Sequence, residues 1–249
     1  MATYREEDLM NTNTIEPCEN AATRLYVENH AMTSVVSQPS RCQAWGDRTY
    51  RGNCDGTLIK DLVLRYGART VADPMMGSGT SRDVVAGLNR HVDAGVGFWG
   101  ADLQTGFDLL REEIPDKHDF VWVHPPYWNI VRYTDDPADL SNATSYEDFI
   151  RKLYVCMKRC GKALNAGGCL AVLVGDVRKQ GRYFPIVREV MNMERDLGDL
   201  RSVIIKVQHN CTSDGKNYGR LEDVPIKHEY CIVFKARSVG AGSAHGTAA

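Results

Sequence analysis

No run of apolar residues in the chain reaches the roughly 20 positions that a membrane-spanning helix needs. The opening stretch MATYREEDLM also lacks the apolar centre of an export signal. These two absences predict a cytoplasmic protein with no membrane attachment. Positive charge is not in excess either, since 30 Lys and Arg stand against 32 Asp and Glu, for a formal net charge of −2. Proteins that coat nucleic acid neutralise phosphates with clustered Lys and Arg, so any nucleic-acid contact here must come from a local patch. The 8 cysteines include no Cys-x-x-Cys pair, which argues against a zinc ribbon and a disulfide framework. Cys156 and Cys160 share a helix face by their spacing, but the neighbouring sequence offers no further ligands, and no metal site is expected. What is present is ordinary: 249 residues, 43% hydrophobic and 25% charged, enough for one well-buried α/β domain.

The first forty residues are polar and without sustained apolar period, and 1–40 read as an irregular arm. The end, SVGAGSAHGTAA, is small and low in complexity, so 237–249 read as a disordered tail. Between them, over 41–236, short apolar runs alternate with amphipathic stretches, the pattern of a doubly wound, mostly parallel sheet covered by helices. Leu58, Ile59, Leu62, Val63 and Tyr66 form one stripe and predict a helix over 57–66. Strands are predicted at 70–73, 96–101, 119–123 and 169–175, and paired strands at 202–208 and 229–235 make a terminal hairpin. Further helices are expected from about Ser81, over 145–164 and over about 184–197. The helix at 145–164 is the clearest, with Tyr146, Phe149, Ile150, Leu153, Tyr154 and Met157 at spacings of three and four behind a Ser145 start signal.

Two motifs carry chemistry. Asp73-Pro74-Met75-Met76-Gly77-Ser78-Gly79-Thr80 lies between a predicted strand and a predicted helix, where an open α/β sheet presents its ligand crevice. Its glycines let the backbone approach a ligand, and the helix start offers free N–H groups. It matches neither the Walker loop nor the GxGxxG dinucleotide turn, and a tight turn with no ligand is the plain alternative. Asp102 closes the next strand, at the distance downstream where one strand-helix-strand step puts a carboxylate that accepts from ribose hydroxyls. The combination favours an adenosine-containing ligand over a surface Asp.

The second motif, His124-Pro125-Pro126-Tyr127-Trp128, follows the buried strand DFVWV and so lies at the same sheet edge. Prolines fix the backbone and leave carbonyls without ladder partners. Such a turn can accept hydrogen bonds from an amino group while Tyr127 stacks on a flat ring, as holding a flipped base requires. A proline-rich loop with an aromatic plug remains the bland alternative.

Taken together, DPMMGSGT and HPPYW resemble the two hallmarks of the amino-methyltransferase family of DNA methyltransferases: a cofactor motif close to DPFxGSGT and a DPPY-like catalytic motif. RGNCDGTLIKDLVLRYGARTVADP, GVGFWGADL, GFDLL, LNAGGCLAVLVGD and HEYCIVFKA resemble its other segments, so the likeness covers about 40–236. It implies a Rossmann-like class I methyltransferase sheet and S-adenosyl-L-methionine as cofactor. Asp73, Pro74, Gly77, Ser78 and Gly79 would then line the cofactor, Asp102 would bind its ribose, and Phe107 or Asp108 would lie near its adenine ring. Asn53 and Cys54 would sit by its methionine end. His124, Pro125, Pro126 and Tyr127 would form the catalytic turn. The departure is His124, where the family has Asp, Asn or Ser; a neutral imidazole can accept from the target amine, a protonated one cannot, so activity should fall at low pH.

The expected partner is DNA. A span of about twenty residues between the last two strands carries Lys216, Tyr218, Arg220 and Lys227, mixing charge with an aromatic ring. Arg178, Lys179 and Arg182 would extend that patch; a solvated loop with scattered charges is the alternative for each of these residues. The function read from this pattern is S-adenosylmethionine-dependent methylation of an exocyclic base amine in DNA, adenine N6 favoured over cytosine N4. The alternatives are an RNA or protein-glutamine N-methyltransferase, or a catalytically lapsed protein that binds the cofactor or DNA.

Overall fold

The computed structural model describes residues 26, 32–40, 42–209 and 222–237. In chain order its strands are β1 (Val35–Ser37), β2 (Thr70–Asp73), β3 (Gly97–Gly100), β4 (His118–Val123), β5 (Leu164–Val174), β6 (Val177–Lys179), β7 (Arg182–Phe184), β8 (Asp199–Val207) and β9 (His228–Lys235). The helices are α1 (Thr57–Arg65), α2 (Thr80–Val92), α3 (Tyr146–Lys162), α4 (Ile186–Met191) and α5 (Glu194–Leu197). Seven strands form one sheet in the order β1-β8-β9-β5-β4-β2-β3, and β6 and β7 make a separate ribbon. β9 runs antiparallel to both β5 and β8, while the other pairings in the sheet are parallel.

The central strands are apolar on both faces because helices cover both. Along β4, Phe120 and Trp122 point to one side and Val121 and Val123 to the other, following the two-residue period of a strand. On the first side they meet Leu58, Ile59 and Leu62 of α1 and Val84, Val85 and Leu88 of α2. On the second they meet Phe149, Leu153, Cys156, Met157 and Cys160 of α3, with α4 and α5 beyond. Each large side chain so buried contributes about 1.5–3 kcal/mol. Ser145 caps α3 by accepting from Asp148 N at 3.0 Å, as its start signal predicts.

The doubly wound sheet and its terminal hairpin match the sequence expectation, and four local features differ from it. Val35–Ser37, within the segment read as an irregular arm, pairs with β8 as an edge strand. β5 begins at Leu164 and not at 169, because it pairs with His118 across a register shift before the main ladder starts. The helix expected over 184–197 is two short helices separated at Asn192 and Met193, and Phe184 ends a strand, since Pro185 cannot continue that ladder. The β6–β7 ribbon is an addition to the expected elements; it closes through Gln180 (φ 50°) and Gly181 (φ 78°), both left-handed as a tight hairpin turn demands. The tail at 238–249 lies outside the described residues.

From β2 the chain passes outward to β3 and then returns to β4 on the other side of β2. The order therefore reverses between β2 and β4, and a crevice opens at their carboxyl ends. β8 ends and β9 begins at that same edge, where Lys206 pairs with Glu229 in register.

Candidate active site

A cleft at this edge encloses about 910 Å³ with its open mouth included. Asp73, Pro74, Gly77, Ser78, Asp102, Phe107, Asp108, Asn53 and Cys54 all line it, and so do His124 and Pro126. Both sequence motifs thus meet in one cavity. Gly79 stands behind the lining as the left-handed cap of α2 (φ 84°). Pro125 is buried.

On the Gly-rich side, β2 delivers Asp73 into the sheet edge, where it accepts from Met75 N at 3.0 Å and from Ser81 Oγ at 2.5 Å. Burial pushes its carboxyl up to about 7, against the Ser81 and Met75 hydrogen bonds that pull it down. Asp73 therefore shapes the turn. Asp102 ends the next step: its Oδ2 accepts from Gly77 N and its Oδ1 from Thr105 N, both at 2.9 Å. A carboxylate has about four acceptor positions, so Asp102 keeps capacity for ligand hydroxyls. Gly77 is left-handed (φ 53°), and an added Cβ would come within 3.0 Å of the Tyr50 ring, so the turn is closely covered. Phe107 stands edge-on to Trp99 at 5.1 Å. Asp108 uses Oδ1 on Leu110 N at 2.9 Å, whereas its buried Oδ2 has no hydrogen-bond donor, only Arg111 at 3.5 Å. An unmatched buried carboxylate oxygen in a cleft lining fits a ligand N–H, such as the amino group of an adenine. Asn53 is committed to protein, donating to the Asp47 carbonyl at 2.7 Å and accepting from Thr80.

On the other side, His124 Nε2 lies 3.0 Å from Tyr127 Oη, which donates to Glu229 Oε1 at 2.8 Å, and Lys206 Nζ donates to Glu229 Oε2 at 2.7 Å. Burial pushes His124 down to about 4, opposed by the nearby Glu229 and assisted by Lys206, so its ring is neutral at ordinary pH. Burial also drives the Tyr127 hydroxyl well above its usual value, with the Glu229 charge adding to it. Burial would raise Glu229, but Lys206, His124 and the Tyr127 hydrogen bond together hold it below the usual range. Tyr127, read as a stacking platform, stands behind His124 instead of in the cleft lining, and its ring covers Gly175, where an added Cβ would lie 3.0 Å away. Trp128 follows with a left-handed backbone (φ 49°), clamped between Tyr146 and Phe184.

Of the basic residues read as a DNA patch, Arg178, Lys179 and Arg182 lie on the β6–β7 ribbon beside the His-Pro-Pro-Tyr turn. Lys179 Nζ sits 5.0 Å over the Trp128 ring and donates to Asn129 Oδ1 at 3.0 Å. Arg178 pairs with Asp223 and lies 5.5 Å over Tyr183, and Arg182 covers Phe184 at 4.9 Å. Lys227 is exposed next to β9. Lys216, Tyr218 and Arg220 lie outside the described residues.

Several lining residues carried no sequence signal. Tyr50 and Tyr133 stack at 5.9 Å across the cleft, and buried Asp139 folds the loop beneath them by accepting from Thr134 and Ser141 backbones at 2.9 and 2.8 Å. Glu229 and Lys206 are equally silent, each reading as an ordinary strand residue. Among the described residues no group of His, Cys, Asp and Glu is placed to hold a metal, and no helix is long and apolar enough to cross a membrane.

No protein-family model matches the sequence, and no curated protein matches it. Among solved structures, a Thermus thermophilus protein named as a candidate DNA modification methylase is 20% identical over 70% of this chain and 55% of its own, with a TM-score of 0.36. This chain thus spans little more than half of that protein's length. The N-methyltransferase NodS of Bradyrhizobium japonicum WM9, solved with S-adenosyl-L-homocysteine, is 9% identical over 70% of this chain and 84% of its own, with a TM-score of 0.38. A Listeria monocytogenes protein named as a candidate class I S-adenosylmethionine-dependent methyltransferase is 14% identical over 77% of this chain and 60% of its own, with a TM-score of 0.41.

Proposed function

We propose that this chain is an S-adenosylmethionine-dependent methyltransferase that acts on an exocyclic base amine in DNA, adenine N6 in preference to cytosine N4. The observation that carries this reading is the single cleft lined by the Gly-rich turn with Asp102 and Asp108 on one side and by His124 and Pro126 on the other. The residues fit the cofactor: the unmatched Asp108 Oδ2 suits the adenine amino group, and Asp102, which also holds the Gly77 turn, suits the ribose hydroxyls. When bound, the cofactor supplies an electrophilic methyl group on a sulfonium.

The chain's own task is then orientation in a dry site. Neutral His124 accepts a hydrogen bond from the target amine and a proline carbonyl accepts a second, which aims the nitrogen lone pair toward the cofactor side of the cleft. A base inside a duplex cannot reach such a cleft, so the target nucleotide must swing out of its stack. Lys179 and Arg178 on the ribbon beside the turn, with Lys227 just before β9, would leave Asn129 and Asp223 to hold phosphates of the displaced strand. Incubating the protein with methyl-labelled cofactor and DNA, RNA or protein tests the reading. Label in DNA is expected. Label confined to RNA or protein defeats the DNA assignment, and cofactor binding without any transfer points to a lapsed enzyme.

A further inference from the structure

The imidazole of His124 ends a chain of polar groups that runs from one sheet strand to the next. Lys206 on β8 and Glu229 on β9 face each other in register, and the ammonium donates to Glu229 Oε2 at 2.7 Å. Glu229 is 8% exposed, so its charge depends on the partners it has. Its other oxygen, Oε1, accepts the Tyr127 hydroxyl at 2.8 Å. A hydroxyl has one proton. Once that proton is committed to a carboxylate, which can only accept, the Tyr127 oxygen can only accept from its remaining neighbour. That neighbour is His124 Nε2 at 3.0 Å.

We propose that Glu229, anchored by Lys206, is a positioning residue that acts through the Tyr127 hydroxyl to hold His124 in its Nε2–H tautomer, leaving the Nδ1 lone pair as the acceptor for the substrate amine. The direction of every hydrogen bond in the chain follows from the charge at its far end. Lys206 can only donate, ionised Glu229 can only accept, Tyr127 must pass its proton to Glu229, and His124 must carry its proton on Nε2. The second ring nitrogen, Nδ1, has no hydrogen-bond partner among the described residues, and His124 lines the cleft. Depressed basicity of the buried ring keeps it neutral, as an acceptor must be. The arrangement accounts for an imidazole at a position where a carboxylate or amide would serve. An Asp accepts in any orientation, whereas a His accepts only in the correct tautomer, and residues some eighty and a hundred positions downstream specify it. The catalytic part of the inference rests on the methyltransferase reading; the tautomer itself does not.

Glu229→Gln separates the two. An amide cannot present NH₂ to the Lys206 ammonium, so it turns its oxygen to Lys206 and its NH₂ to Tyr127. Tyr127 then accepts from Gln and donates to His124 Nε2, which moves the imidazole proton to Nδ1 and places a donor in front of the substrate amine. Nitrogen-15 NMR of the full chain labelled at histidine, with the His124 signals assigned by their loss in His124→Gln, reads the tautomer without substrate. The wild type should show a protonated Nε2 and a bare Nδ1, and Glu229→Gln should show the reverse. Cofactor affinity should stay within about threefold, while methyl transfer drops on the order of 10²-fold or more, as wrong-tautomer histidines do elsewhere. Should Glu229→Gln fail to fold, Tyr127→Phe should give a mixture of both tautomers. A bare Nε2 in the wild type, or an unchanged tautomer in whichever variant folds, overturns the proposal. Loss of transfer with reduced cofactor affinity and an unchanged tautomer would make Glu229 merely structural and overturns it equally. A wild type that shows the expected tautomer but methylates no DNA leaves the relay standing and removes the DNA reading instead.

Discussion

Asp102→Asn probes the cofactor side of the cleft at one atom. The carboxylate now receives Gly77 N on Oδ2 and Thr105 N on Oδ1, each at 2.9 Å, and has lone pairs left for two ligand hydroxyls. Asparagine must point its NH₂ at one of those two N–H groups. One backbone donor loses its acceptor, and the capacity on that side is gone for the ligand as well. A hydrogen bond to a charged group is worth about 1.5–3 kcal/mol, so removing one such bond to the ligand weakens binding about 10- to 150-fold. Titration calorimetry with S-adenosylhomocysteine at pH 7.5 reads that change directly. A thermal melt run alongside should show a much smaller effect, because the exposed backbone donor can turn to water. An affinity within threefold of wild type would refute the ribose role of Asp102 and with it the orientation assigned to the bound cofactor.

Gly77→Ala should weaken cofactor binding as well, since the site is left-handed at φ 53° and the new methyl would press on the Tyr50 ring at 3.0 Å; equal affinity by calorimetry would show that the turn has room. Asp73→Leu removes a buried carboxyl that folds the turn through Met75 and Ser81, and a loss of about 1–3 kcal/mol in urea denaturation is expected at pH 6, where the group is largely protonated. For His124 the folded value of about 4 lies below the ordinary 6.5, so its stabilising contribution is complete above pH 6.5 and is lost as pH falls through about 4. Relative to the parent, His124→Asn should therefore lose stability as pH rises from 4.5 to 6.5, and a constant difference would contradict the buried neutral ring. The same shift means that turnover should not fall between pH 7 and 5.5 through His124 protonation, a lower threshold than an unperturbed imidazole would give. Replacing Arg178, Lys179 and Arg182 together by Ala should lower the magnitude of the salt-dependence slope of DNA binding by about 0.9 for each phosphate no longer neutralised, measured by fluorescence anisotropy across a salt series. An unchanged slope would clear the ribbon of a DNA role.

The parts of this molecule that were legible in the sequence are those written in local pattern. The short apolar run of Phe120–Val123 between turn signals and the three-and-four spacing of Phe149, Leu153 and Met157 fix a buried strand and the helix that packs on it, and the strand-to-helix context of DPMMGSGT fixes where a crevice opens. Illegible parts depend on contacts between distant residues. Val35–Ser37 becomes a strand only because β8 has a free edge to offer, and nothing in its own composition announces this. The 184–197 stretch carries a helical pattern, yet Phe184 is drawn into the ribbon against Trp128, an override of local preference by tertiary packing. Tyr127 was readable as part of the motif, but its direction was not, because that is set by Glu229 and by the bare surface of Gly175. The Glu229–Lys206 pair was unreadable for the same reason, since alternating charges on a strand normally face water.

The central claim is that His124 and the Gly-rich turn cooperate in placing a methyl group on a base amine. The most direct test is mass spectrometry of nucleosides from adenine-rich and cytosine-rich DNA duplexes incubated with the protein and methyl-labelled S-adenosylmethionine, in parallel with His124→Ala. Labelled N6-methyladenine with the wild type, and at least a hundredfold less with His124→Ala, is the expected result. Equal labelling by the two proteins, or labelling of neither N6 of adenine nor N4 of cytosine, would contradict the account.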